Sequence, residues 1–174
     1  MKRKAQLILL LAIPALIALD QATKFLVRRL LDVEGFFPIL PFFSLEYVQN
    51  RGIAFGMLQG HAGLIIFTSS VIVLILVVAA LAIRHDGRFI WPLAFLVAGS
   101  VGNLIDRFFF GYVTDFLRFP YWPSFNFADA FIVTGVILLL RVFMLDPDFN
   151  GEKERHQQER HQNAGGPGSE GNLP

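Results

Sequence analysis

Between Gly63 and Ile83 the chain reads GLIIFTSSVIVLILVVAALAI, without one charged residue. About 20 consecutive apolar residues cross the roughly 30 Å hydrocarbon core of a bilayer as a helix. Inside that core each backbone N–H and C=O must find its partner within the segment. The stretch therefore predicts a membrane-spanning helix. Three further segments qualify: Ala5–Val27, the shorter Phe89–Ile105 with its many small residues, and Phe127–Leu145. Prolines inside the first and near the start of the third are tolerable in spanning helices. The expected class is an all-α transmembrane bundle of four helices.

Composition agrees and narrows the function. Of 174 residues 54% are hydrophobic and 17% charged, too apolar and too blocky for a soluble domain of this size. The net charge is +1 and most aromatics are Phe within apolar runs, so no basic, aromatic-interleaved surface is offered to nucleic acid. The absence of cysteine excludes disulfides, thiolate metal sites and a cysteine nucleophile.

About 35 residues separate the first two spans, too many for a simple turn. Within them FFSLEYVQN alternates and reads as a strand or two at the membrane surface, centred on residues 42–49. Residues 1–145 form the membrane domain. Residues 146–174 are polar and Gly-rich, with the composition of a disordered tail. The MKRK start resembles a cleavable secretory signal. No A-x-A pattern precedes Asp20 and amphipathic sequence continues to Val27, so a retained helix is expected. Lys2, Arg3, Lys4, Arg84, Arg88 and the basic tail fall on one side, against Lys24, Arg28, Arg29, Arg51, Arg107 and Arg118 on the other. That modest bias favours both termini in the cytoplasm.

Charges near membrane depth carry the chemistry, because a carboxylate at a helix centre costs roughly 2.5–3.5 kcal/mol. Asp20 and Lys24 stand four apart, acid before base, the favourable order for a same-face pair. At ~1.5 Å per residue Asp20 lies roughly 22 Å beyond Ala5, toward the outer end. A pair that neutralises itself and snorkels to the interface is the plainest reading. On the third span Ala94, Ala98, Gly102 and Asp106 recur every four residues, a small stripe suited to close helix approach. Gly99, Asn103 and Arg107 form the next row, whose outer end could hold a polar site. Asn126 and Asp129 have the spacing of an N-cap followed by a first-turn acid. That account leaves Asp115, inside VTDFL, unexplained.

Two carboxylates brought together at a membrane surface suggest aspartyl chemistry, since close like charges share one proton over a useful pH range. The ionised member can take a proton from an attacking water while the protonated one donates to the carbonyl oxygen. No H-E-x-x-H zinc motif or G-x-S-x-G elbow is present, and His61, His85, His156 and His161 lie in loops or tail.

The motifs DQATK (20–24), NRGIAFG (50–56), GNLIDR (102–107), VTDF (113–116) and FNFAD (125–129), in this order on four spans, resemble bacterial lipoprotein signal peptidase, signal peptidase II. The resemblance runs from Asp20 to the end of the fourth span. It implies an aspartyl endopeptidase of the bacterial inner membrane with its site at the periplasmic face and a small periplasmic sheet cradling the substrate. Enzymes of that family remove the signal peptide from diacylglyceryl-modified prolipoproteins, cutting just before the lipidated cysteine. It implies Asp115 and Asp129 as the catalytic pair, with Asn50, Gly52, Asn103, Arg107, Asn126 and Ala128 binding substrate or supporting the site. Asp20, Lys24 and Asp106 are expected to be structural. No metal or organic cofactor is implied; the expected partners are prolipoprotein substrates and membrane lipid, and the chain is expected to act as a monomer. One departure is Ile53, where the family more often has a small residue, narrowing the pocket locally. The alternative is a small ion- or proton-coupled transporter or channel subunit using these aspartates. It would spread charge through membrane depth and favour internal repeats, whereas here the charges gather at one end and no repeat is visible. The G-x-G-D pattern of presenilin-like proteases is absent.

Overall fold

The computed structural model describes residues 2–33, 35–52, 62–83 and 86–145. Ile53, Arg84, the four histidines and the tail lie outside them. The chain divides into Met1–Leu139, which carries everything below, and Leu140–Pro174, described only as far as Leu145. The elements run α1 (Lys2–Leu30), β1 (Phe36–Leu40), β2 (Phe43–Asn50), α2 (Ala62–Ile83), a short 3-10 turn (Gly87–Phe89), α3 (Ile90–Phe110), β3 (Val113–Arg118) and α4 (Phe127–Leu145). All four helices are long and apolar enough to cross a membrane.

α3 is the central helix: 61% of its spanning window is buried, against 11–17% in the others. Side chains such as Leu10, Phe67, Leu74 and Val133 remain exposed on α1, α2 and α4, as expected where lipid completes the packing. The stripe on α3 is buried throughout, with Ala94, Ala98 and Asp106 fully so. A Cβ on Gly102 would lie 2.6 Å from Asp20 Oδ2 on α1 and 3.3 Å from the Ala128 methyl on α4. Gly135 of α4 packs as closely on Leu96 and the Pro92 carbonyl. The stripe is thus a seam where α1 and α4 meet α3, as its spacing predicts. Gly102→Leu is expected to abolish most folded yield, because overpacking of even a few methylenes costs about 1–3 kcal/mol. Wild-type yield on size-exclusion chromatography would count against the seam.

α3 extends five residues past the expected end at Ile105. The acid and base that follow, Asp106 and Arg107, do not stop it because α1, β3 and the Gly52 carbonyl provide partners for them. It ends at Gly111, whose φ of 75° lies in the left-handed region and whose N–H closes on the Arg107 carbonyl at 3.0 Å.

The strand expected at 42–49 is β2, the middle of an antiparallel sheet ordered β1-β2-β3. Phe36 pairs with Glu46 on one side, and Asn50 with Val113 and Val48 with Asp115 on the other. After β3 the chain turns through Tyr121 (φ 63°) and returns, Phe125 exchanging backbone hydrogen bonds with Leu117 at 2.8 and 3.0 Å. Arg118 and Ser124 both bind the Glu46 carboxylate, tying this return to β2. Under the sheet Val27, Tyr47 and Phe116 form a core with Leu45, Leu117 and Phe127. The return places Asn126 and the start of α4 beside Asp115.

Candidate active site

Asp115 leaves the middle of β3 and is 2% exposed; Asp129 stands in the first turn of α4, half-buried. Asn126 joins them. Its Oδ1 accepts the Asp129 N–H at 3.0 Å, and its own N–H donates to Asp129 Oδ2 at 3.3 Å, a reciprocal capping box. Its Nδ2 donates to Asp115 Oδ1 at 2.7 Å. Asn50 Nδ2 donates to Asp115 Oδ2 at 2.9 Å, and Asn103 Nδ2 to Asp129 Oδ1 at 2.7 Å. Each of the four carboxylate oxygens therefore accepts one amide hydrogen and keeps a lone pair for a proton or water. The capping spacing read from the sequence is present. It does not compete with the carboxylate pair, because the same asparagine serves both.

The amides are themselves held. Asn50 Oδ1 accepts the Gly52 N–H at 3.1 Å, and Asn103 Oδ1 accepts from Lys24 Nζ at 2.9 Å. Arg107 Nη2 donates to the Gly52 carbonyl at 3.3 Å.

The snorkelling expected of Asp20 and Lys24 does not occur. Both are fully buried, 2.9 Å apart, with Lys24 Nζ also 3.6 Å from Asp106 Oδ2. Asp20 Oδ1 accepts the Ala128 N–H at 2.9 Å, satisfying one orphan donor at the start of α4. Asp106 accepts the Thr114 N–H at 2.9 Å, and Arg28 reaches both Thr114 Oγ1 (2.8 Å) and Asp106 (3.4 Å). Water is unnecessary to these charges because the neighbouring elements supply their partners. The cluster fixes where β3 and α4 begin, and so where the two aspartates stand.

A cavity of about 880 Å³ opens in front of the pair. Asn50, Asn103, Arg107, Asp115 and Asp129 line its polar end, and Trp122, Pro123, Ser124 and Phe125 of the β3–α4 return form one wall. Ile72, Ile132 and Val133 carry it down between α2 and α4. Gly52 and Ala128 do not line it; Gly52 anchors Asn50, and the Ala128 methyl fits the α3–α4 seam. Sequence reasoning missed Glu46, which holds the return in place, and the hydroxyls of Ser69, Ser100 and Thr134 on the cavity wall. The triplet TSS inside a charge-free span was the available signal for Ser69.

Asp115 lies outside the spans, and its carboxyl is pushed up to about 7. Burial is the main cause and the nearby Asp129 charge the second; the amides of Asn50 and Asn126 and the charge of Lys24 pull the other way. An acid that keeps its proton near neutrality beside a second carboxylate is equipped for proton transfer in both directions.

Known proteins are similar to this chain in sequence and in fold. The family model described as Signal peptidase (SPase) II matches residues 12–145. A lipoprotein signal peptidase of Caldanaerobacter subterraneus is 42% identical over 123 residues, covering 70% of this chain and 85% of the relative. One from Halothermothrix orenii is 42% identical over 125 residues, covering 71% and 86%. A solved structure titled as a bacterial membrane enzyme superposes with a TM-score of 0.74 at 27% identity, over 79% of this chain and 88% of that one. With this family match over most of its length and its four apolar spans, the chain belongs to the signal peptidase II family and is a multi-pass membrane peptidase.

Proposed function

We propose that this peptidase removes the signal peptide of diacylglyceryl-modified prolipoproteins, cutting on the N-terminal side of the lipidated cysteine, with Asp115 and Asp129 as its catalytic pair. One observation carries the reading: two carboxylates, bridged by Asn126, meet at the polar end of a cavity that continues between apolar spans. A signal sequence is itself a membrane helix, and its cut site lies where such a helix ends. The pair holds one proton. Its ionised member deprotonates a water that attacks the scissile carbonyl, while its protonated member donates to the carbonyl oxygen. The proton then passes to the leaving nitrogen as the C–N bond breaks. A transporter would need ionisable groups along the depth of the cavity, but below Asn103 and Asp129 its lining is apolar or hydroxylic.

The site faces the periplasm of a bacterial inner membrane, with both termini cytoplasmic and the chain acting as a monomer, since one chain supplies both aspartates and the cavity walls. Reporter fusions at Pro174 should read as cytoplasmic; a periplasmic signal would reverse this topology. The decisive assay for the activity is cleavage of a lipidated prolipoprotein by purified protein beside its unlipidated form, which should remain intact.

pH gives a further check. With Asp115 holding its proton up to about 7, the singly protonated pair is lost as pH rises past that point. kcat/KM should then fall about tenfold per pH unit. The same shift acts on stability. Between roughly pH 4 and 7 the folded state binds this proton and the unfolded state does not, so stability declines as pH rises through that window. A kcat/KM that is flat from pH 6 to 9 would rule out the shared proton.

A further inference from the structure

We propose that Ser69 of α2 and Ser100 of α3 form a hydroxyl subsite that holds the unwound backbone of the substrate immediately N-terminal to the cut bond. The inference rests on the peptidase reading above and adds to it the part of the substrate that is gripped.

α2 is purely apolar after Gly63 except for three consecutive hydroxyl residues, Thr68, Ser69 and Ser70. Two of them are satisfied within the helix: Thr68 donates to the Leu64 carbonyl at 2.9 Å and Ser70 to the Ile66 carbonyl at 2.7 Å, both on the exposed surface. Ser69 faces the cavity and, among the described residues, donates to no group and accepts from none. The same holds for Ser100 on the opposite wall. Thr134, the third hydroxyl residue on the walls within the spans, is satisfied by the Ala130 carbonyl at 2.8 Å. Two hydroxyls from different spans, accessible and without a protein partner among the described residues, thus face one cavity.

A scissile bond can be attacked only where the substrate helix has opened, and opening strips backbone N–H and C=O groups of their partners one turn away. Inside a spanning segment such groups must be satisfied by the protein or by the cavity that receives them. A hydroxyl both donates and accepts, so it can serve a freed carbonyl or a freed N–H. Ser100 lies three residues inward of Asn103, which bonds Asp129; at ~1.5 Å per residue that is roughly 4.5 Å, little more than one extended residue of substrate. The subsite therefore grips the last residues ahead of the cut. Because it bonds backbone, it fixes the register of the substrate and tolerates its side chains.

The test is the cleavage kinetics of Ser69→Ala, Ser100→Ala and the double variant on lipidated prolipoprotein, with Thr68→Ala and Ser70→Ala as controls. Alanine is a good helix former, so folding should be retained in all of them. Each subsite change should lower kcat/KM roughly five- to tenfold, as expected for one neutral hydrogen bond. Most of the loss should appear in KM, because the contact is the same in the ground and transition states. Thermal stability and both controls should stay at the parental level. Replacing a backbone amide just ahead of the cut by an ester should slow the parent and slow the double variant no further, the coupling that a structural role would not produce. Double-variant kinetics within about twofold of an active parent would overturn the subsite alone. A parent that leaves lipidated prolipoprotein uncut would overturn the peptidase reading, and the subsite with it.

Discussion

Asp115→Asn and Asp129→Asn should each abolish turnover of lipidated prolipoprotein, and the double variant should be scarcely worse than either. Asparagine keeps the size of the side chain and one acceptor oxygen but removes the titratable proton. Groups that act as a unit are strongly non-additive, so the first loss removes nearly all that the pair contributes. The loss should exceed the 10²–10⁴-fold usual for general acid–base catalysis, because base and acid fail together. Both variants should insert and fold. Asp129→Asn keeps an acceptor for the Asn126 N–H, and Asp115→Asn removes a carboxylate whose burial opposes ionisation. Were the two residues only a helix cap and a strand residue, Asp129→Asn would lose a little stability and keep its activity, and Asp115→Asn would be nearly silent. Substantial turnover by either folded single variant would sink the aspartyl mechanism.

The parts of this site legible in the sequence were those set by local pattern. Four apolar runs gave four spans, the recurrence from Ala94 to Asp106 gave a packing seam, and Asn126–Asp129 gave a helix start. Asp115 was opaque because its reason lies elsewhere in the chain. VTDF is too short to show a period, and it becomes a strand only by pairing with β2, where Val48 stands opposite Asp115. β1 was opaque for a related cause: all five of its residues are exposed, so burial imposes no alternation on its sequence. The end of α3 was misplaced because Asp106 and Arg107 look like an interface in one dimension, whereas their partners on α1, β3 and the chain after β2 let the helix continue. The chemistry of the residues was readable; their burial was not.

Lys24 shows the difference most sharply and carries the second large expected effect. In sequence it is half of an i,i+4 pair worth a few tenths of a kcal/mol. In the fold its ammonium group, fully buried, meets Asp20 Oδ2 and Asn103 Oδ1 at 2.9 Å each, with the Asp106 carboxylate 3.6 Å away as a second ion-pair partner. Lys24→Met fills the volume but leaves the Asp20 carboxylate buried with amide donors alone, from Ala128 and Gln21. Asp106 still has Arg28 and the Thr114 N–H, so the damage falls mainly on Asp20. Removing one partner of a buried ion pair costs about 3–5 kcal/mol, a large share of the roughly 5–15 kcal/mol that holds a typical domain. The folded yield of Lys24→Met should therefore collapse. Adding Asp20→Asn should restore much of it, because the uncompensated charge is then gone while an oxygen remains for the Ala128 N–H. A second substitution that repairs the first is the signature of a buried charge pair, and an exposed, snorkelling pair would instead show two small and additive effects. Thermal unfolding of the parent, both single variants and the double in one detergent measures the coupling directly, and a coupling energy near zero would mean that the charges at positions 20 and 24 do not depend on each other.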